Sequence, residues 1–91
     1  MVEYEIYFTK QANKDKKLIK QAGLENKART LLEILSTNPF QNPPPYEKLV
    51  GNFEGFFSRR ISYKHRLVYQ IIEEKNIVKI LRMWSHYESI G

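Results

Sequence analysis

The sequence predicts an α+β sandwich in which an antiparallel sheet carries two consecutive helices on one of its faces. The chain starts with an alternating, strand-like pattern, continues through two segments of helical periodicity, and finishes with three short β-type runs separated by turns. The predicted element order is therefore β-α-α-β-β-β. Since the chain has 91 residues, we expect a single domain over residues 1–91, with one core between the sheet and the helices.

The N-terminal half supplies one strand and both helices. Residues 3–8 (EYEIYF) alternate in polarity, which is typical of a half-buried strand. Thr9 can cap a first helix from Lys10 to Ala22, which Gly23 ends. A second helix from Leu24 to Ser36 carries four leucines and an alanine along one stripe, a pattern that indicates one buried face.

The C-terminal half supplies the remaining strands. Residues 39–46 contain all four prolines and are predicted to form a stiff, extended loop between folded segments. Strands are predicted at 56–61, 66–73 and 76–84, and a short additional strand is allowed at 47–50. Residues 62–65 are expected to turn the chain, and Glu74-Lys75 is expected to form a tight hairpin turn.

The sheet has a second face that neither helix can cover, so this face must meet solvent or a ligand. Side chains alternate along a strand, and the core-type side chains of 66–73 are those of Leu67, Tyr69 and Ile71. Arg66 is therefore predicted to point to the second face. The same alternation places Ser58 and Arg60 together on one face of their own strand, which we interpret as the outward one.

Charge and composition restrict the classes of function. The net charge of +5 favours a polyanionic partner, although a merely basic soluble domain remains open on charge alone. The absence of cysteine excludes a thiol nucleophile, a disulfide framework and a cysteine zinc site, and is consistent with the reducing cytoplasm, where we expect the protein. The sequence has neither a signal-peptide pattern nor an apolar run of about 20 residues.

The available residue types favour one kind of chemistry. With two histidines and scattered glycines, the sequence does not favour a metal site, a P-loop or a serine triad. RNA supplies its own nucleophile, the 2′-OH, and an enzyme that cleaves it needs a base, cations and an acid. Glutamate can be the base, arginine the phosphate clamp and histidine the acid, without any cofactor. These residue types permit the scheme but do not establish it.

One segment has a highly specific pattern. GFFSRRISYKHRLVYQI (55–71), with NPF at 38–40, YEKL at 46–49 and HY at 86–87, resembles the YoeB/Txe type of bacterial toxin, within the RelE-like mRNA interferases of type II toxin–antitoxin modules. The resemblance covers nearly the whole chain. It implies a RelE-like sandwich with two helices on one face of the sheet and mRNA on the other.

The resemblance also implies a set of site residues. Glu47 corresponds to the general base, Arg66 to the phosphate and transition-state clamp, and Arg60 to a second phosphate-facing arginine. His86 corresponds to the general acid and Tyr87 to a phenol that contacts the substrate. The neighbours of Glu47 and Arg60 complete the predicted substrate-binding set, namely Lys48 and Arg59.

The implied function is a metal-independent endoribonuclease that cleaves mRNA in the ribosomal A site and inhibits translation. Its implied partners are mRNA on the ribosome (30S/70S), a cognate antitoxin of the YefM/Axe/Phd type and, for a domain of this size, a second copy of the chain. Two alternatives stay open: a non-nuclease toxin of the same fold that inhibits gyrase, and a non-catalytic RNA-binding module. Glu47 and the terminal His-Tyr pair argue against the gyrase type.

Overall fold

Two helices lie on one face of a mixed five-stranded sheet in the computed structural model, which describes residues 3–49 and 55–83. In these ranges the elements are β1 (Glu5–Phe8), α1 (Lys10–Gln21), α2 (Glu25–Thr37), β2 (Glu47–Lys48), β3 (Phe56–Arg60), β4 (Arg66–Ile72) and β5 (Ile77–Arg82). The α+β sandwich that the sequence predicted is thereby confirmed, and each helix lies within one residue of its predicted bounds.

The strands lie in the order β1-β5-β4-β3-β2, and one pairing differs from the prediction. Strand β1 is parallel to β5, whereas the other neighbouring pairs are antiparallel. The sheet is therefore mixed: the predicted antiparallel arrangement holds for the pairs from β2 to β5, but not for β1. Alternation reports which face of a strand is buried, but it carries no information on the neighbour or its direction.

Local signals set the helix ends. Thr9 Oγ1 accepts a hydrogen bond from the Ala12 amide at 3.1 Å, as expected of an N-cap. The same hydroxyl donates to the Leu81 carbonyl at 3.1 Å, which ties the start of α1 to β5. Gly23 follows the helix with φ of +75°, a left-handed conformation that glycine adopts without a Cβ clash.

The core lies between the helices and strands β4 and β5. Its buried members include Leu31 and Leu35 from α2, Tyr69 from β4, and Val78 and Ile80 from β5. A register irregularity between β4 and β5, of the kind a β-bulge produces, falls at Val68 and Tyr69.

The turn between β4 and β5 is longer than the predicted two-residue hairpin. Glu73–Lys75 form a single 3₁₀ turn, and Asn76 follows in the left-handed conformation with φ of 54°. Asparagine tolerates this conformation better than most residues. Asn76 after Glu74-Lys75 was therefore a sequence signal for the longer turn, and the prediction did not use it. No helix within 3–49 and 55–83 is long and apolar enough to cross a membrane.

Candidate active site

Strands β2, β3 and β4 carry the candidate site residues on the second face of the sheet, opposite the helices. The register pairs Glu47 with Ser58 and Ser58 with Val68 in one row, and Arg60 with Arg66 in the next row. Paired residues, and residues two positions apart on a strand, point to the same face. The structure therefore brings these five side chains together, and it places Arg60 and Arg66 on the face that alternation predicted.

Glu47 and Arg66 meet across the middle strand. The Glu47 Oε1 atom lies 3.5 Å from Arg66 Nη1, although β2 and β4 are separated by β3. The Glu47 side chain is 60% exposed and that of Arg66 is 17% exposed. Because one partner is so accessible to water, the ion pair contributes no more than about 1 kcal/mol to stability. Arg66 can therefore exchange the carboxylate for another anion at little cost.

A cavity of about 320 Å³ lies at this ion pair and is lined by Pro45, Tyr46, Glu47, Ser58, Arg60 and Arg66. Its volume is at the lower end of the range for ligand pockets. Its lining residues carry a carboxylate, two guanidinium groups, a phenol and the buried Ser58 hydroxyl, a set suited to an anion that also carries a proton to be removed. Among the described residues, no group of three or more histidines and carboxylates is arranged to hold a metal ion.

Arg59 lies on the opposite face from this cavity. It is 1% exposed, and its guanidinium donates hydrogen bonds to the carbonyls of Pro44 (2.7 Å), Gln41 (2.9 Å) and Pro39 (3.0 Å). Its Nε also donates to the Tyr69 hydroxyl at 3.0 Å. Alternation explains this position, because the rule that turns Ser58 and Arg60 outward turns Arg59 inward. We therefore correct its assignment from substrate contact to support of the proline loop.

Aromatic packing also attaches the proline loop to the sheet. The Phe57 ring contacts the rings of Phe40 at 6.1 Å and Tyr46 at 5.8 Å in edge-to-face geometry, and stacks on Tyr69 at 6.0 Å. Burial raises the pKa of Tyr69 to about 12, although the charge and hydrogen bond of Arg59 oppose this effect. The loop that delivers Glu47 is thus fixed to the sheet by both polar and apolar contacts.

Two other residues lie outside the cavity lining. Lys48 is exposed and pairs with Phe57, so alternation directs its side chain away from the face that Glu47 occupies. His65 lies in the turn between β3 and β4, where its Nδ1 is 2.7 Å from Ser62 Oγ. The structure thus gives His65 a contact within its own turn and places Lys48 on the opposite side of the short strand.

Asp15 anchors the end of β5, a feature that sequence reasoning missed. Its buried carboxylate accepts hydrogen bonds from Arg82 Nε (2.8 Å), the Met83 amide (3.1 Å) and Gln11 Nε2 (3.2 Å). Burial raises the pKa of this carboxyl, but these hydrogen bonds and the charge of Arg82 outweigh burial and hold the pKa below its usual value. Because Asp15 is one polar residue among many on a lysine-rich helix, the periodicity of that helix gives no sign that it is buried.

His86 and Tyr87, the predicted acid and substrate-contacting phenol, lie outside the described residues. Asp15 holds the chain at Met83, three residues before His86. The described part of the site therefore contains the predicted base and both predicted phosphate clamps.

Fold and site together define a class of small basic proteins that display a carboxylate and paired arginines on the helix-free face of a RelE-like sheet. The family model described as YoeB-like toxin of bacterial type II toxin-antitoxin system matches residues 4–87. The chain belongs to this family.

Individual relatives agree with this assignment. The toxin YoeB of Synechocystis is 35% identical over 74 residues, which cover 81% of this chain and 77% of the relative. The structure of the YoeB dimer from Staphylococcus aureus is similar with a TM-score of 0.79 and 34% identity, over 94% of this chain and 100% of that one. The YoeB-YefM complex from the same organism gives a TM-score of 0.75 at the same identity and coverage.

Proposed function

We propose that this toxin is a metal-independent endoribonuclease that cleaves mRNA in the ribosomal A site and so inhibits translation. The observation that carries the proposal is the pairing of Glu47 with Arg66 at 3.5 Å in a cavity that Arg60 also lines. A carboxylate next to two cations combines a proton acceptor with an anion clamp, and RNA cleavage by the 2′-OH needs both.

The proposed reaction begins at Glu47. Glu47 takes the proton of the 2′-OH, and the 2′-oxygen attacks the adjacent phosphorus. Arg66 and Arg60 stabilise the negative charge of the phosphorane. The bond to the 5′-oxygen then breaks, and His86 gives that oxygen a proton while Tyr87 contacts the substrate. The products are a 2′,3′-cyclic phosphate, which water can then hydrolyse to a 3′-phosphate, and a 5′-hydroxyl.

The pairing of two arginines across the sheet supports an anionic substrate. Arg60 and Arg66 are direct partners in neighbouring strands, and like charges in this position destabilise a sheet. The Glu47 carboxylate offsets part of that repulsion in the free protein. A phosphate group between the two guanidinium groups offsets it more completely, because it can accept hydrogen bonds from both.

An antitoxin of the YefM/Axe/Phd type is the proposed protein partner. The Staphylococcus aureus relative is seen in a complex with YefM and also as a dimer. With a net charge of +5 and an arginine-lined cavity, this chain suits a partner segment of acidic and apolar side chains. Such a segment would block the cavity by occupying the place of the RNA phosphate.

Glu47→Gln tests the proposed function, because it keeps the size of the side chain and removes the base. In single-turnover reactions on ribosomes programmed with a short mRNA, we expect at least about 100-fold slower cleavage. Glu74→Gln is the matched control, since Glu74 is an exposed carboxylate in the turn between β4 and β5. Cleavage by Glu47→Gln at the wild-type rate would remove Glu47 from the mechanism.

A further inference from the structure

Ser58 lies in the centre of the second face and lines the same cavity as Glu47, Arg60 and Arg66. Its direct neighbours across the sheet are Glu47 on β2 and Val68 on β4. The side chains of Glu47 and Arg66 reach each other across the strand that carries Ser58. A larger residue at this position would separate them, which explains a small side chain but not a hydroxyl.

The hydroxyl of Ser58 is buried without a hydrogen-bond partner. Ser58 is 1% exposed, and within the described residues its Oγ is the buried side-chain polar atom that lacks a partner. A buried polar group in this state destabilises the folded protein, and nearly all such groups in native structures are paired. Alanine would leave the same space for Glu47 and Arg66 without this penalty. The hydroxyl therefore points to a role outside the free protein.

We propose that the Ser58 hydroxyl donates a hydrogen bond to a non-bridging oxygen of the scissile RNA phosphate, as a third donor beside Arg60 and Arg66. The inference rests on the proposed function and adds a substrate contact to it. In the free protein Ser58 makes no hydrogen bond with its neighbour Glu47, whose carboxylate is engaged with Arg66. A phosphate held by the two arginines would bring acceptor oxygens to the cavity that Ser58 lines.

Ser58→Ala tests the inference by two measurements, one of the cleavage rate and one of the stability of the free protein. In single-turnover cleavage of a short mRNA on programmed ribosomes, we expect the rate constant to fall about 10- to 100-fold. The melting temperature of the free protein should stay equal or rise, because an unpaired buried hydroxyl has been removed. Ser36→Ala is the control, since the Ser36 hydroxyl is exposed and bonded within its own helix.

A phosphorothioate substrate identifies the contact at the level of one atom. Sulfur at a non-bridging position accepts hydrogen bonds poorly. In the stereoisomer that places sulfur opposite the Ser58 hydroxyl, cleavage by the wild type should therefore be slower, whereas the rate of Ser58→Ala should change little. Cleavage by Ser58→Ala at the wild-type rate would overturn the inference. The inference would also be overturned if Ser58→Ala cleaves slowly and sulfur slows it by the same factor as it slows the wild type. This holds whether or not the melting temperature of the variant has fallen.

The same experiment separates this inference from the proposed function. If Glu47→Gln is slow while Ser58→Ala matches the wild type, only the role of Ser58 fails. If the wild type leaves the ribosome-bound mRNA intact, or Glu47→Gln cleaves as fast as the wild type, the proposed active site fails and the Ser58 contact fails with it.

Discussion

Asp15 is the residue through which helix α1 holds the end of strand β5. Its carboxylate accepts one hydrogen bond from a guanidinium, one from a backbone amide and one from a side-chain amide. Because this carboxylate is buried, its three donors compensate for the loss of water. The chain is therefore held at Met83, directly after β5, and the predicted acid His86 follows three residues later.

Asp15→Asn should lower the free energy of unfolding at neutral pH by about 1–3 kcal/mol, because it removes a charge-assisted pair with Arg82. The folded-state pKa of Asp15 lies below its unfolded value. The carboxylate therefore stabilises the fold fully above the unfolded pKa, near 4, and this contribution is lost as the pH falls through the folded pKa. The difference in free energy of unfolding between the wild type and Asp15→Asn should therefore become smaller as the pH falls.

Urea unfolding at a series of pH values between about 7 and 3 measures this difference. Glu25→Gln is a suitable control, since Glu25 forms an exposed pair with Arg29 on α2 and should show only a small effect. A difference between wild type and Asp15→Asn that stays constant over this pH range would contradict the assigned ion pair.

Single residues also mark the limit of sequence reasoning. The alternation of side chains along a strand was sufficient to place Arg60 and Arg66 on the second face. The same rule, applied to Arg59, would have predicted that its side chain points to the helix side. Asp15 could not be found in this way, because its partners Arg82 and Met83 are more than 60 residues away in the chain. The unpaired state of the Ser58 hydroxyl depends on every neighbouring atom and is visible only in three dimensions.

At the scale of elements, the proline loop is what delivers Glu47 to the cavity. The loop leads from helix α2 to the two-residue strand β2, which alone would be a weak attachment. Arg59 binds three of its carbonyl oxygens, and Phe57 packs against its aromatic side chains. The position of Glu47, the proposed general base, therefore depends on residues that lie on the helix side of the sheet.

Arg59→Met should destabilise the protein by about 2–4 kcal/mol, because it leaves loop carbonyls and the Tyr69 hydroxyl without their donor. Cleavage should slow as well, since Glu47 loses its support, while the affinity for RNA falls little because Arg59 makes no contact in the cavity. Thermal or urea unfolding measures the first effect and single-turnover kinetics the second.

Arg29→Met provides the comparison, because Arg29 is an exposed arginine on α2 and should have almost no effect on stability. An Arg59 variant as stable as the wild type, but with RNA binding lost, would restore the original assignment of Arg59 to substrate contact.

The order of elements could be predicted from periodicity, whereas the arrangement of strands could not. Thr9 and Gly23 are local signals, and they correctly indicated the ends of α1. The parallel pairing of β1 with β5 depends on contacts between residues such as Ile6 and Val78, which are far apart in the chain. Local patterns do not encode pairings of this kind.

At the scale of the whole molecule, the fold places the hydrophobic core and the candidate active site on opposite faces of one sheet. The helices and the core occupy one face of the sheet, while the cavity with its carboxylate and arginines occupies the other. Both faces are carried by the same strands, so that β3 presents Arg59 to one side and Ser58 and Arg60 to the other. An antitoxin segment over the cavity would block the chemistry without disturbing the core.

The central claim is that the RNA itself supplies the nucleophile, which Glu47 activates and the arginines support. The most direct measurement uses ribosomes programmed with an mRNA that carries one 2′-deoxynucleotide immediately 5′ of the scissile phosphate. The wild-type protein should leave this mRNA intact at that bond and should cleave the all-ribose mRNA to give a 5′-hydroxyl end. Cleavage of the deoxy-substituted bond, or a 5′-phosphate on the product, would contradict the mechanism.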